Sequence, residues 1–177
     1  MEEDQQKFRE IRSGLSSNDT KILTSTLQEV KKSGNAALIP ELISLLRRTN
    51  KKEIKNQILE ILNNLKTQAS ANELAQAIRK NKQKDLLSQL VAACWKNGMD
   101  YTEFIGDFID IFLQYDYLLA LDAFTVIENS TKHVSDDSIA SVIKKLKNHV
   151  PEMDENKKVL TRELIHILQN KAQDQSE

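Results

Sequence analysis

Cysteine is nearly missing from this 177-residue sequence, which holds only Cys94. One thiol can build neither an intramolecular disulfide framework nor a Cys-rich zinc site. Glycine and proline are also scarce, at four and two residues. An all-β chain needs a turn residue about every dozen positions, so that class is excluded. No apolar run approaches the ~18 residues of a membrane span. The opening Met-Glu-Glu-Asp-Gln-Gln-Lys is acidic and lacks the apolar stretch of a signal peptide. A reducing, cytoplasmic setting without membrane contact is the expectation. Phosphate-loop, dinucleotide and hydrolase-elbow glycine motifs are absent. Lysine and arginine are missing altogether between Asn97 and Thr131.

What is present is a folded, helical composition. Hydrophobic residues make up 40% and charged residues 29%, the balance of a globular chain rather than a disordered one. At this length roughly 70% of the unfolded surface can be buried in one domain, taken as 1–177 with frayed ends at 1–5 and 172–177. Apolar periodicity predicts helices near 2–13, 18–33, 36–49, 51–66, 71–81, 84–97, 101–114, 116–130, 136–149 and 155–171. Gly34 and Gly98 stand where left-handed helix stops belong. Asn18, Ser70 and Ser135 stand where N-caps belong. Pro151 falls between the last two helices, where its missing N–H does no harm. The short connections make neighbours antiparallel.

Sliding the chain by about 32 residues superimposes the second helix of successive pairs. Ile22, Ile54, Leu86 and Leu118 coincide; so do Leu27, Leu59, Val91 and Ala123, and Val30, Leu62, Cys94 and Val126. The first helices align less tightly, with Leu42 over Leu74 and Ile105, and Leu46 over Ile78 and Ile109, after a one-residue deletion. A helix pair cannot bury its apolar stripe alone, and stacking pairs is the solution. The segment Gly34-Asn-Ala-Ala-Leu-Ile-Pro40-Glu-Leu-Ile-Ser-Leu-Leu46, with the following Lys51–Lys66 helix, resembles a HEAT repeat of the short bacterial kind. Pro40, Leu42, Leu45 and Leu46 match that family's bent first helix and paired core leucines. The resemblance implies an all-α fold: an α-α superhelix, or HEAT-like solenoid of the armadillo type, of about five antiparallel helix pairs with an atypical last pair. It departs from the family in its short period, in the absence of Pro40's counterpart from later pairs, and in lacking regular turn-bridging Asp and Arg. An irregular helical bundle stays open beside it.

Charge is segregated. From Arg47 to Lys96 there are eleven cations against four acids, whereas Asn97–Thr131 carries seven acids and no cation. Arg47, Arg48 and Lys52 occupy one intra-pair turn; Arg79, Lys80 and Lys84 overlie them one repeat later. Such a ridge can contact phosphates, yet no aromatic interleaves it and the whole chain is slightly acidic. A solvated edge and a nucleic-acid phosphate site are the two readings of it.

Aromatic residues cluster after the basic region. Tyr101, Phe104, Phe108, Phe112 and Tyr115 share one helical face, the spacing of a core stripe. Opposite the core centre Ile58, the outward residues are Glu53, Asn56, Glu60 and Asn63. Their equivalents become Asp85, Ser88, Ala92 and Trp95, then Tyr117, Ala120, Phe124 and Ile127. The resemblance places second helices on a concave surface, so Trp95, Tyr117 and Phe124, rimmed by Asp116 and Asp122, are the candidate partner-binding residues. An acidic rim around aromatic anchors suits a basic amphipathic protein segment. The alternative is that the last pair covers this helix.

Catalysis has little to stand on. His133, His149 and His166 fall in no ligand spacing, and Cys94 aligns with core positions. Some HEAT-like proteins are DNA glycosylases, and Trp95, Tyr117 and Asp122 only caricature their site. The expectation is a non-catalytic, cofactor-free scaffold or adaptor for a protein partner. Nucleic-acid binding by the basic edge is the competing class, and homo-oligomerisation through the Tyr117–Ile127 face a third.

Overall fold

The computed structural model describes the backbone of residues 2–130 and 134–174 and the side chains of 5–130 and 134–171. Among the described residues there are ten α-helices and no strand. They are α1 (Glu2–Leu15), α2 (Thr20–Ser33), α3 (Ile39–Arg48), α4 (Lys52–Leu62), α5 (Gln68–Lys80), α6 (Lys84–Asn97), α7 (Ile105–Gln114), α8 (Tyr117–Ser130), α9 (Asp136–His149) and α10 (Glu155–Asp174). No helix among them is long and apolar enough to cross a membrane. His133, Met1 and residues 175–177, parts of the expected histidine set and frayed ends, lie outside the described residues.

Local chemistry explains the boundaries. Gly34 and Gly98 stop α2 and α6 with φ of 58° and 63°, a conformation that costs other residues a Cβ clash. Asp19, not Asn18, caps α2, accepting from the backbone N–H of Lys21 at 2.7 Å. Thr67 rather than Ser70 caps α5, because its Oγ1 accepts from the Ser70 N–H at 3.2 Å. Ser135 does stand at the N-cap of α9, without a side-chain bond into the helix. Both α3 and α7 open with a 3-10 turn, Ala36–Leu38 and Thr102–Phe104. Only α3 has a proline, so the tight opening does not depend on Pro40. An Asx side chain precedes each turn: Asn35 accepts from Ala37 N–H at 3.0 Å and Asp100 from Thr102 N–H at 2.9 Å.

The helices fall into two compact units, Met1–Met99 and Asp100–Glu177. In the first unit α1 packs on α3 and α3 on α5, while α2 packs on α4 and α4 on α6. Between these two rows lie Leu27, Leu42, Leu45, Ile54, Ile58, Leu62, Leu74, Leu90 and Val91, all essentially inaccessible. In the second unit α7 packs on α8 and α9, and α10 on α8 and α9. Its core is aromatic. Tyr101, Phe108 and Phe112 are buried, Tyr101 meeting Phe108 edge-to-face with ring centroids 5.7 Å apart.

The repeat columns hold in the middle and slip at the ends. Val30, Leu62, Cys94 and Val126 are all buried, as are Ile54 and Leu86. Ile22 and Leu118, however, are 47% and 74% exposed, and Leu23 and Leu119 take the inward places. Helices α2 and α8 therefore depart from the expected register at their first turns, while Leu27, Val30, Ala123 and Val126 keep their buried places.

Cations tie successive turns together. Arg48 donates to the Leu15 carbonyl, and Lys51 Nζ to the Asn18 carbonyl at 2.8 Å and Thr20 Oγ1 at 2.7 Å. In the second unit Lys157 is 7% exposed and donates to the Leu113 and Tyr115 carbonyls at 2.9 and 2.7 Å. These close the C-terminal end of α7, where orphan carbonyls and the helix dipole both favour a cation. Burial nevertheless pushes the Lys157 ammonium below the usual lysine range.

Two stability predictions follow from this packing. A Cβ on Gly14 would lie 2.2 Å from Thr26 Oγ1, where α1 crosses α2. Gly14→Ala in an unobstructed helix stabilises by about 0.5–1 kcal/mol; here it should destabilise by about 1–3 kcal/mol in urea unfolding, and Thr26→Ala added to it should recover part of the loss. Lys157→Met strands two carbonyls and should lower stability by about 1–3 kcal/mol in the same measurement.

Candidate functional surfaces

Helix α8 is apolar almost all round, so periodicity alone does not choose its inner face. Packing against both α7 and α10 chooses it. Leu119, Ala120, Ala123, Val126 and Ile127 are buried, with both alanines fully inaccessible. Phe124 is buried as well, at 8% exposure. It is therefore a core residue and not the open anchor the repeat register assigns to it. Ala120 and Ile127, placed outward by the same register, are corrected likewise. The last pair does cover that face, through the α8–α10 contact.

What α8 leaves in solvent is a different stripe. Tyr117, Leu118 and Leu121 are 40%, 74% and 38% exposed. Tyr117 and Leu121 are one turn apart, with Leu118 beside them, so the three share one side of the helix. Leu118 and Leu121 were missed as surface residues because the 32-residue register places Leu118 in the core. The signal that could have found them is the run of apolar residues on both sides of α8, more than one buried stripe can absorb.

The expected acidic rim has a structural duty as well. Asp116 is exposed and caps α8, its Oδ1 accepting from the Leu119 N–H at 3.2 Å. Asp122 is half-buried on α8, and both carboxylates interact with other groups of the chain. Trp95 is 38% exposed near the end of α6 in the first unit, with the Lys96 ammonium 5.4 Å from its ring centroid. Its outward placement agrees with the register. The structure thus groups Tyr117 with Leu118 and Leu121, and separates Phe124 from them.

The basic edge lies wholly within the first unit. Arg47, Arg48 and Lys52 flank the α3–α4 turn, Arg79, Lys80 and Lys84 the α5–α6 turn, and all six are exposed. Because α3 packs on α5 and α4 on α6, the two turns are neighbours on one edge. Arg48 is engaged with the Leu15 carbonyl, and Arg79 and Lys84 also have partners in the chain. Lys51, in the same basic turn, serves the turn-to-turn clamp.

A third feature has no signature in the sequence. A cavity of about 300 Å³ opens at the far edge of the first unit, between the α2–α3 and α4–α5 connections. Val30, Ile39, Ile61 and Leu65 give it apolar walls, and Lys31 pairs with Glu60 at 2.6 Å across its lining. These residues come from three helices and a connection, which is why no local motif marks them. Among the described residues no group of three or more His, Cys, Asp or Glu gathers as a metal site.

No protein-family model matches the chain, and no curated protein matches it.

Proposed function

We propose that the protein is a non-catalytic scaffold or adaptor that holds a protein partner on the exposed stripe of α8. The observation that carries this reading is the solvent exposure of three large apolar side chains, Tyr117, Leu118 and Leu121, on one side of a well-packed helix. Leaving them in water forgoes roughly 25 cal/mol for each square ångström of apolar surface, which a partner would recover. Tyrosine and leucine on a rigid helix also bind with little loss of side-chain freedom.

The partner's chemistry follows from charge. The second unit carries fifteen acids against eight cations, and its first 31 residues contain no lysine or arginine. A basic amphipathic segment would place apolar side chains on the stripe and cations around it. Such a field speeds encounter and selects against acidic competitors. The HEAT-like reading supports a scaffold too: within each unit every helix packs on the one two positions further along, the arrangement of stacked helix pairs.

The test is affinity capture from nuclease-treated lysate with the wild-type chain and with Leu118→Glu/Leu121→Glu. Both side chains are exposed, so the double variant should keep its helicity and lose less than about 1 kcal/mol of stability. A protein with a basic amphipathic segment should be captured by the wild type and bound at least about 30-fold more weakly by the variant, the equivalent of about 2 kcal/mol. Equal capture by both chains would sink the proposal. So would a concentration-dependent dimer abolished by the same substitutions, because the stripe would then serve self-association.

A further inference from the structure

We infer that the basic edge of the first unit is a second binding surface, one that takes the phosphate backbone of a nucleic-acid duplex. The first unit carries seventeen cations against eleven acids, so its charge is opposite to that of the second. Four of its exposed cations stand on the two neighbouring turns: Arg47 and Lys52 on one, Lys80 and Lys82 on the next. Among the described residues none of the four makes an ion pair or a side-chain hydrogen bond. The α3–α5 and α4–α6 contacts set the turns side by side, at the roughly 8–10 Å spacing of packed helices. Cations that clamp one turn to another are accounted for by the fold. These four are not.

Lys52 stands against helix stability, whereas Arg47 and Lys80 lie in the last turns of α3 and α5, where the dipole favours a cation. Lys51 and Lys52 are the N-cap and first residue of α4, and Lys84 is the first residue of α6. Neither N-cap, Lys51 or Gln83, bonds into its helix through its side chain. A helix N-terminus is the positive end of the dipole, where further positive charge is unfavourable by a few tenths of a kcal/mol or more. By contrast, Asp19 and Thr67 cap α2 and α5 in the ordinary way. Choices that oppose local stability are the ones expected at a site of function. A bound polyanion relieves both the cation–cation and the cation–dipole repulsion.

The edge also selects among polyanions. Residues 47–53 and 79–85 contain no aromatic and no exposed apolar side chain. Single strands are held largely by stacking on aromatics, which are missing here. An acidic peptide held only by exposed ion pairs would gain about 0–1 kcal/mol from each. A duplex presents one charge per ~1.7 Å and gains further from counterion release. Recognition of this kind reads the backbone and not the sequence.

The experiment is fluorescence anisotropy of a labelled duplex DNA of about 20 base pairs, titrated with the full chain between about 50 and 200 mM salt. Four phosphate contacts give a slope of roughly −3 to −4 in log K against log salt. Arg47→Glu/Lys80→Glu should weaken binding at least tenfold with an unchanged circular dichroism spectrum. Lys144→Glu/Lys147→Glu makes the same charge change on exposed positions of α9, and should stay within about threefold of wild type. Leu118→Glu/Leu121→Glu should bind duplex like the wild type, which separates this surface from the α8 stripe. No binding at ~50 mM salt, or an edge variant that binds like the wild type, would overturn the inference. Equal affinity for polyglutamate or for phosphatidylserine vesicles would overturn it too, by assigning the edge to an acidic protein or a membrane surface.

Discussion

A helix hairpin of about thirty residues has two amphipathic faces and only one partner helix for each, so half of its apolar stripe stays uncovered until another hairpin arrives. Everything in this protein is arranged around that shortage. In the first unit α1, α3 and α5 form one row and α2, α4 and α6 the other. Leucine and isoleucine are the material between the rows, with Leu42, Ile54, Ile58, Leu62 and Leu74 wholly out of water. The second unit meets the same need with rings, burying Tyr101, Phe108 and Phe112, and with the small buried Ala120 and Ala123 where α8 packs on α7.

Stacking leaves the turns as the places where backbone groups still need partners. The chain answers with cations that reach back to an earlier turn. Arg48 and Lys51 bond to groups 33, 33 and 31 residues before them, and Lys157 to carbonyls 44 and 42 residues before it. Ion pairs between alternate helices repeat the theme at the surface: Arg12 with Glu41, Lys31 with Glu60, Lys145 with Asp110. Each exposed pair contributes little. The partly buried Arg48 and Lys157 clamps contribute more, because an unbonded carbonyl beneath them would be costly. Arginine and lysine on backbone carbonyls thus bridge the turns.

The proposed functional surfaces are what remains after these demands are met. On α8 the demand is met on one side by Leu119, Ala123, Phe124 and Ile127, and the surplus Tyr117, Leu118 and Leu121 stay in water. At the edge of the first unit Arg48 and Lys51 are consumed by the clamp, and Arg47, Lys52, Lys80 and Lys82 are left over. Surplus apolar area and surplus charge occur on different units, which allows two partners of different chemistry to be held without competing for the same side chains.

The helical class, the pairing period and most of the core were legible because they depend on spacing that repeats along the chain. Val30, Leu62, Cys94 and Val126 recur at the same register, and all are buried. The glycine stops were legible for a local steric reason, and so were the basic turns, since a loop between two periodic segments is exposed wherever the pair packs. The outward face of α8 was not legible. Its apolar residues satisfy more than one helical phase, and the choice between Leu118 and Leu119 as the inward residue rests on what α7 and α10 present to it. The Gly14–Thr26 approach, the Lys157 clamp and the cavity behind Lys31 and Glu60 were hidden for the same reason. Composition and periodicity by themselves determined that this protein is built of short paired helices with a basic first half and an acidic stretch beyond Asn97. The rotation of each helix about its own axis was decided only by tertiary packing, because an angle of about 100° separates neighbouring residues and only a neighbouring helix can say which of them it will cover.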